Sequence, residues 1–433
     1  MNQASPPLND VLPETDHESP PAIAAAPPPE VSPAARRESQ LAHQVSEAVR
    51  ATLAARRRWP EVTYRLQFHY QHLKFADGAA LVPYLDELGI SHVYASPSLK
   101  SASNSPHGYD VVDYGQLNPE LGGDEGYRAM VDALHQHRMG LLQDIVPNHM
   151  AIIAAENSWW NDVLENGQSS PFARCFDIDW HPITPFLDNK ILLPLLGSQY
   201  GEVLEAGELQ LEYRDGGFFV RYWSRHLPLD PRTYPLILGH RQAELIEALG
   251  EDSEAAREFA SIRTALDYLP ATTDTSAERI AERQREKEII KNRLRRLTAE
   301  HPPVLEFIEQ NLRELNGTPG DPRSFDRLDA LLNAQVFRLA RWKAAADEVN
   351  YRRFFDVNEL IALCTEQPQV FELIHQRTLA LLVRGDVDAL RVDHIDGLYD
   401  PLEYLWRLQW GYVKALARVE YDRLLASSSL PDG

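Results

Sequence analysis

The sequence predicts an α/β fold built on a parallel sheet, of the (β/α)8 TIM-barrel type, with strands 1–4 represented and a large insertion after strand 3. Three observations carry this. From Pro60 onward, short apolar runs alternate with amphipathic helical patterns, as βα units require. Two of those helical patterns stop at a glycine, Gly89 and Gly140, just before the next apolar run, and glycine tolerates the left-handed conformation that closes a helix. Between the third run and the fourth lie roughly 240 residues, far more than an ordinary βα connection, so a subdomain is inserted there.

The elements follow in order. Residues 1–38 are a Pro/Ala/Ser/Glu-rich leader (Pro6-Pro7, Pro20-Pro21, Pro27-Pro28-Pro29); with few large apolar groups to bury, it is expected to be disordered. A helix is expected over 39–58, where Leu41, Val45, Val49 and Leu53 step by four. The first part of the barrel, 39–150, contains strand runs at 62–68, 90–95 and 141–146, helical patterns at 75–88 and 122–138, and a polar loop over 96–119. The insertion, 151–345, begins with an aromatic, turn-rich part that includes strand-like pieces at 208–213 and 217–223. It continues as helices over 241–249, 254–268, 276–300, 304–315 and 325–342. Residues 346–433 return to the barrel through a helix at 369–384, a fourth strand over 387–392 and a helix over 401–426. The run Arg293-Leu294-Arg295-Arg296 is flanked by Glu286, Glu288 and Glu300 and reads as a solvated helix face rather than a basic patch.

Composition bounds the partners. The formal net charge of −21 argues against nucleic acid or an anionic membrane, both of which need a basic face, and is compatible with a neutral ligand. Two cysteines, Cys175 and Cys364, rule out a disulfide scaffold and fit a reducing compartment. No apolar run reaches the roughly 18 residues of a membrane span, and the N-terminus lacks the basic start and apolar core of a signal peptide. A cytoplasmic location is therefore expected. No nucleotide loop, GxSxG or metal-ligand spacing appears, so no cofactor and no metal are expected.

The chemistry gathers at two strand ends. In Ala389-Leu390-Arg391-Val392-Asp393-His394-Ile395-Asp396-Gly397 an apolar run delivers an arginine, two carboxylates and a histidine. Arg391 and Asp393 are two apart on a strand and so share a face. A carboxylate beside a guanidinium stays ionised, which suits a nucleophile or an electrostatic stabiliser; the alternative is a structural Asp-Arg pair. The third strand carries Asp144 and runs into Asn148-His149. In a (β/α)8 barrel the C-terminal strand ends line the catalytic face.

These residues resemble the α-amylase superfamily (glycoside hydrolase family 13), which is marked by a D-x-V-x-N-H run, here Asp144 to His149, and an R-x-D run, here Arg391 to Asp393. Further stretches are similar to the maltooligosyl trehalose synthase branch: Thr63 to Phe68, Ser91 to Pro97, His107 to Asp113, Leu117 to Gly123, Asp162 to Gly167, Phe176 to Trp180, Tyr351 to Leu360 and Arg391 to Leu398. The resemblance implies a barrel of the α-amylase kind and a retaining intramolecular transglucosylation. In it the reducing-end α-1,4 linkage of a maltooligosaccharide becomes an α,α-1,1 (trehalose) linkage, and water is kept out. It also implies residue roles: Asp393 as nucleophile, Arg391 as its charge partner, Asp144 as organiser of the site, His149 on the reacting sugar and Tyr109 stacked against that sugar. His107, Asn148, His394 and Asp396 complete the implied substrate-binding set. The implied partners are a maltodextrin substrate and, downstream, a maltooligosyltrehalose trehalohydrolase. Trp159, Trp160, Phe172 and Phe176 read either as a lid or as a subdomain core. The superfamily's acid/base Glu after strand 5 and Asp after strand 7 have no match, and the loss of a general acid costs roughly 10² to 10⁴ in rate. The expectation is thus an N-terminal portion of such an enzyme, poorly stable and inactive alone, with a separately encoded C-terminal half as its possible complement. Plain α-1,4-glucan hydrolysis and glucan binding without turnover are the alternatives.

Overall fold

The computed structural model describes residues 32–152 and 156–428. Four strands, Thr63–Leu66, His92–Ala95, Gly140–Ile145 and Ala389–Val392, form a parallel sheet in chain order. The helices Phe75–Glu87 and Gly123–Gln136 separate the first three. The first of these helices buries Phe75, Gly78, Val82 and Leu85, which step by three and four and so form one apolar stripe. Phe75 meets Phe68 and Tyr127 edge-on at 5.0 and 5.3 Å. A Cβ on Gly78 would lie only 3.1 Å from the Phe68 ring and 3.2 Å from Met130 Sδ, so the glycine sets how closely the helix approaches the sheet.

The two expected helix-closing glycines differ. Gly89 takes the left-handed conformation, with φ +83°. At the second helix end Arg138 takes it instead (φ +57°), and Gly140 lies inside the strand. There a side chain would meet the His92 ring at 2.3 Å and Asp388 Oδ2 at 2.9 Å, so this glycine serves close approach rather than helix termination.

The polar stretch 96–119 is not simply a loop, since Leu99–Ser101 and Val111–Leu117 pair as an antiparallel hairpin with register shifts. The first helix spans Pro33–Ala55, so residues 33–38 are helical and not part of a disordered leader; the rest of that expected leader, residues 1–31, lies outside the described residues. Arg56 joins this N-terminal segment to the sheet region by donating to Val383 O at 2.7 Å and Leu382 O at 3.2 Å.

The insertion begins and ends at one strand pair, His149–Ala151 antiparallel to Leu360–Ala362. Within it, Leu209–Arg214, Gly217–Tyr222 and Arg225–Pro228 form an antiparallel sheet, and Ile191–Leu196 runs parallel to Phe337–Arg341. That parallel pair corrects the expected helix over 325–342: the helix covers Asp326–Asn333, and the remainder becomes a strand because its partner lies far away in sequence. The charged helix Ala277–Glu300 conceals a buried ionic face. Arg283, fully buried, donates to Asp230 Oδ1 (2.6 Å), Asn166 Oδ1 (2.9 Å) and two backbone carbonyls, and Lys287 lies between Asp162 and Glu165 at 2.8 and 2.7 Å. Of the arginine-rich run, Arg293 pairs with Glu258 at 2.9 Å, whereas Arg296 is open to solvent. No described helix is long and apolar enough to cross a membrane.

Removing one member of a buried ion pair leaves an uncompensated charge, typically at a cost of about 3–5 kcal/mol. Arg283→Leu is therefore expected to lower urea stability by about 3 kcal/mol or more, and a loss below about 1 kcal/mol would show that the network contributes little.

Candidate active site

The two strand ends that carry the candidate carboxylates are neighbours in register, with Arg391 opposite Asp144 and Val392 opposite Ile145. The Asp393 N–H continues the ladder to Ile145 O at 2.9 Å. Arg391 and Asp393 share a face as alternation requires, and Arg391 Nη1 donates to Asp393 Oδ1 at 2.6 Å. The same nitrogen donates to both oxygens of Asp144, at 3.0 and 3.1 Å. The Asp144 side chain is fully buried, and its Oδ2 also accepts from the hydroxyls of Tyr94 (2.9 Å) and Tyr109 (2.6 Å). Asp393 is bonded at Oδ1 alone among the described residues.

The electrostatics follow from these contacts. Burial alone would lower the pKa of Arg391, but Asp144 and then Asp393 raise it well above its ordinary value, so the guanidinium is permanently charged. Burial and then the bond to Asp144 push the Tyr109 phenol up, so its O–H remains a donor. Both oxygens of Asp144 are thus engaged, whereas Oδ2 of Asp393 has no hydrogen bond among the described residues.

His149 is buried beside this cluster, with Nε2 3.2 Å from Tyr109 O, Nδ1 3.3 Å from Asn148 Nδ2 and its ring 4.5 Å from Phe354. Burial, opposed in part by the Tyr109 carbonyl, lowers its pKa to about 4, so it is neutral at pH 7. His394 sits in the left-handed region (φ 49°) and packs against Phe354 and Phe355 at 4.7 and 5.1 Å. His107 holds the loop to Tyr109, its Nδ1 accepting from the Tyr109 N–H at 3.0 Å. Asp396 stands apart: its side chain is 86% exposed, and its recorded partner is His394 at 3.6 Å.

Sequence reasoning missed Tyr94, Arg65 and Arg352. Tyr94 was legible in principle, because alternation along His92–Ala95 points it towards the same strand ends. Arg65 bonds Gln67 Oε1 (2.7 Å) and the Tyr109 hydroxyl (3.2 Å). Arg352 left no local signal. It donates to Asp177 Oδ2 (2.7 Å), Gly397 O (2.9 Å), Leu363 O (3.2 Å) and Asn148 Oδ1 (3.3 Å), which joins the insertion to the turns after the strands that carry Asp144 and Arg391. Gly397 is constrained by the same turn, since a Cβ there would lie 2.3 Å from the His394 ring and 2.8 Å from Asn148 Oδ1. Of the two readings of the aromatic cluster, the lid is not supported. Trp160 and Phe176 are 2% exposed and packed edge-on at 5.3 Å, and Trp159 stacks on Phe172 at 5.2 Å, so they form a core. No group of three or more His, Cys, Asp or Glu suited to a metal occurs among the described residues.

Residues 79–201 match the family described as alpha amylase, catalytic domain. The chain is 30% identical over 352 residues to a putative maltooligosyl trehalose synthase of Mycobacterium tuberculosis, an alignment covering 80% of this chain and 32% of that protein. It superposes on the structure of maltooligosyltrehalose synthase from Arthrobacter ramosus with a TM-score of 0.55 at 30% identity, covering 82% of this chain and 33% of the other. An intracellular maltogenic amylase of Bacillus subtilis is 37% identical, but over 101 residues, 23% of this chain and 16% of that protein. The chain thus matches about a third of the length of its synthase relatives.

The buried histidine gives a pH signature. Its unfolded pKa is near 6.5 and its folded value about 4, so as pH falls the unfolded chain takes up the proton first. Its contribution is complete above pH 6.5 and is lost on acidification towards pH 4, a change on the order of 2–3 kcal/mol. A His149→Gln variant is expected to show a shallower fall in melting temperature between pH 6.5 and 4 than the unaltered chain; parallel curves would refute this assignment.

Proposed function

Because the chain is a relative of the maltooligosyl trehalose synthases within the α-amylase superfamily, we propose that it serves the retaining intramolecular transglucosylation that converts the reducing-end α-1,4 linkage of a maltooligosaccharide into an α,α-1,1 linkage. The observation that carries this reading is one guanidinium, Arg391, held between a buried carboxylate bonded at both oxygens, Asp144, and a carboxylate with a free oxygen, Asp393. Asp393 attacks the anomeric carbon and forms a glycosyl ester as the bond to the terminal glucose breaks. The departing O4 takes a proton from a general acid. The same glucose, retained, then attacks the anomeric carbon of the glycosyl ester through its own anomeric hydroxyl, whose proton returns to that acid as the C–O bond to Asp393 breaks and the carboxylate is released. Neutral His149 and the Tyr109 loop border the reacting sugar, with His107, Asn148 and His394 supporting that wall; exposed Asp396 is the weakest member of the set.

The general acid is assigned outside the described residues. Within the cluster the other carboxylate is Asp144, whose side chain is fully buried and whose oxygens are engaged by Arg391, Tyr94 and Tyr109. The reading therefore includes further polypeptide that completes the site, maltodextrin as substrate, and a trehalohydrolase acting on the product. Two buried free thiols, Cys175 and Cys364, support a reducing, cytoplasmic setting.

The test uses maltopentaose and two proteins: the 433-residue chain, and a chimera in which the remainder of the Arthrobacter ramosus enzyme follows it. The chimera is expected to consume reducing ends without releasing glucose, and Asp393→Asn should reduce that rate by roughly 10³-fold or more. Growth of reducing ends would instead identify a hydrolase. Turnover by the 433-residue chain alone would contradict the placement of the acid.

A further inference from the structure

The chain has two cysteines, and the fold sets them opposite one another. Phe176 and Leu363 form an antiparallel bridge, framed by bonds from the Asp177 N–H to Ala362 O (3.0 Å) and from the Cys364 N–H to Cys175 O (2.9 Å). Antiparallel register makes Cys175 and Cys364 the next opposed pair along these two segments. Directly opposed residues project to the same face with Cα atoms about 4.5–5.5 Å apart, inside the window of about 4.4–6.8 Å that a disulfide spans. Both cysteines are free and buried.

Their access to solvent differs. Cys364 borders a cavity of about 640 Å3, whose wall also includes Arg174, Asp177, Gln284 and Gln367, whereas Cys175 is 2% exposed and does not line it. A small molecule in the cavity therefore meets one sulfur first. Burial pushes each thiol up to about 12; for Cys364, Asp177, Glu366 and Cys175 itself add to the rise and Arg352 opposes it. Few thiolates form at neutral pH, so exchange is slow there and quickens as pH rises. The pair also stands beside a junction of the insertion. Arg352 bonds Asp177 Oδ2 at 2.7 Å and Leu363 O at 3.2 Å, one residue or two from each cysteine, and the Leu363 N–H donates to Asn148 O at 2.9 Å. A bond between the sulfurs would fasten the same two segments that this guanidinium already bridges, directly behind Asn148.

We infer that Cys175 and Cys364 are a redox modification site, a dithiol that a low-molecular-mass disulfide such as oxidised glutathione converts into an intramolecular disulfide locking the start of the insertion to its returning strand. The Cys364 thiolate attacks one sulfur of the reagent, forming a mixed disulfide and releasing one glutathione thiol. The Cys175 thiolate then attacks the Cys364 sulfur and releases the second. The protein loses two hydrogens and two electrons, and the reagent gains both as two thiols. In a reducing setting the dithiol persists, and a shift to oxidising conditions closes the lock. The inference is independent of the glucan reading, since it requires the two cysteines and their register alone.

The test incubates the folded 433-residue chain with oxidised glutathione in mildly alkaline buffer and follows its mass. The expected product is monomeric, lighter by two hydrogens, yields one joined peptide carrying Cys175 and Cys364 on non-reducing digestion, and reverts with dithiothreitol. Because the bond closes a loop of roughly 190 residues, the oxidised chain should melt about 5 °C higher than the reduced one. The order of attack is read from two variants. Cys175→Ala is expected to stop at the mixed disulfide, one glutathione heavier, and Cys364→Ala to stay unmodified. The first measurement needs no substitution, so the result does not depend on a variant folding. A folded chain that stops at the mixed disulfide, forms linked dimers or remains a dithiol while its urea-unfolded form reacts overturns the inference. So does an oxidised chain that melts at or below the reduced one, since the native geometry would then have to distort to make the bond.

Discussion

The site depends on one nitrogen. Arg391 Nη1 is within hydrogen-bonding distance of three carboxylate oxygens on two adjacent strands, and this is possible because parallel pairing puts Arg391 level with Asp144 while alternation puts Asp393 on the same face. A charge shared in this way does two different things. It compensates the desolvation of Asp144, which would otherwise be costly in a fully buried position, and it fixes the orientation of the Asp393 carboxylate through Oδ1. Tyr94 and Tyr109 add two further bonds to Asp144 Oδ2, so that one of two chemically identical groups is fixed and the other left with an open oxygen.

Much of the sheet was legible because its signals are local. The runs at Thr63–Leu66, His92–Ala95 and Gly140–Ile145 and the helix Phe75–Glu87 each announce themselves by periodicity and by the residues that bound them. What misled was in each case a long-range cause. Gly140 read as a helix stop, yet it is the close approach of His92 and Asp388 that excludes a side chain there. Residues 337–341 continue a helical pattern but become a strand because Ile191–Leu196 offers a parallel partner. The polar loop before Pro119 concealed a hairpin whose irregular register leaves no clean alternation.

The same division holds at the site. Asp144, Arg391 and Asp393 were readable because strand geometry alone brings them together. Asp396, a member of the implied substrate-binding set, lies in solvent. Arg352 was invisible: it is one of two consecutive arginines, and what distinguishes it is a set of four acceptors on separate segments. The buried face of the helix Ala277–Glu300 was hidden for the same reason, since a composition that reads as fully solvated includes Arg283 and Lys287, whose partners lie on other elements.

The pairing of His149–Ala151 with Leu360–Ala362 has a further consequence. The excursion of roughly 200 residues leaves and rejoins the sheet region through one short ladder, so to the rest of the chain it behaves as a single closed loop. The entropy of closing such a loop grows only with the logarithm of its length, about 5 kcal/mol here and about 0.6 kcal/mol for each doubling. The insertion can therefore lengthen, shorten or exchange its hairpin at little expense to the strands beneath it. The ladder that carries Asp144, Arg391 and Asp393 and the surface of the insertion are free to vary on separate timetables.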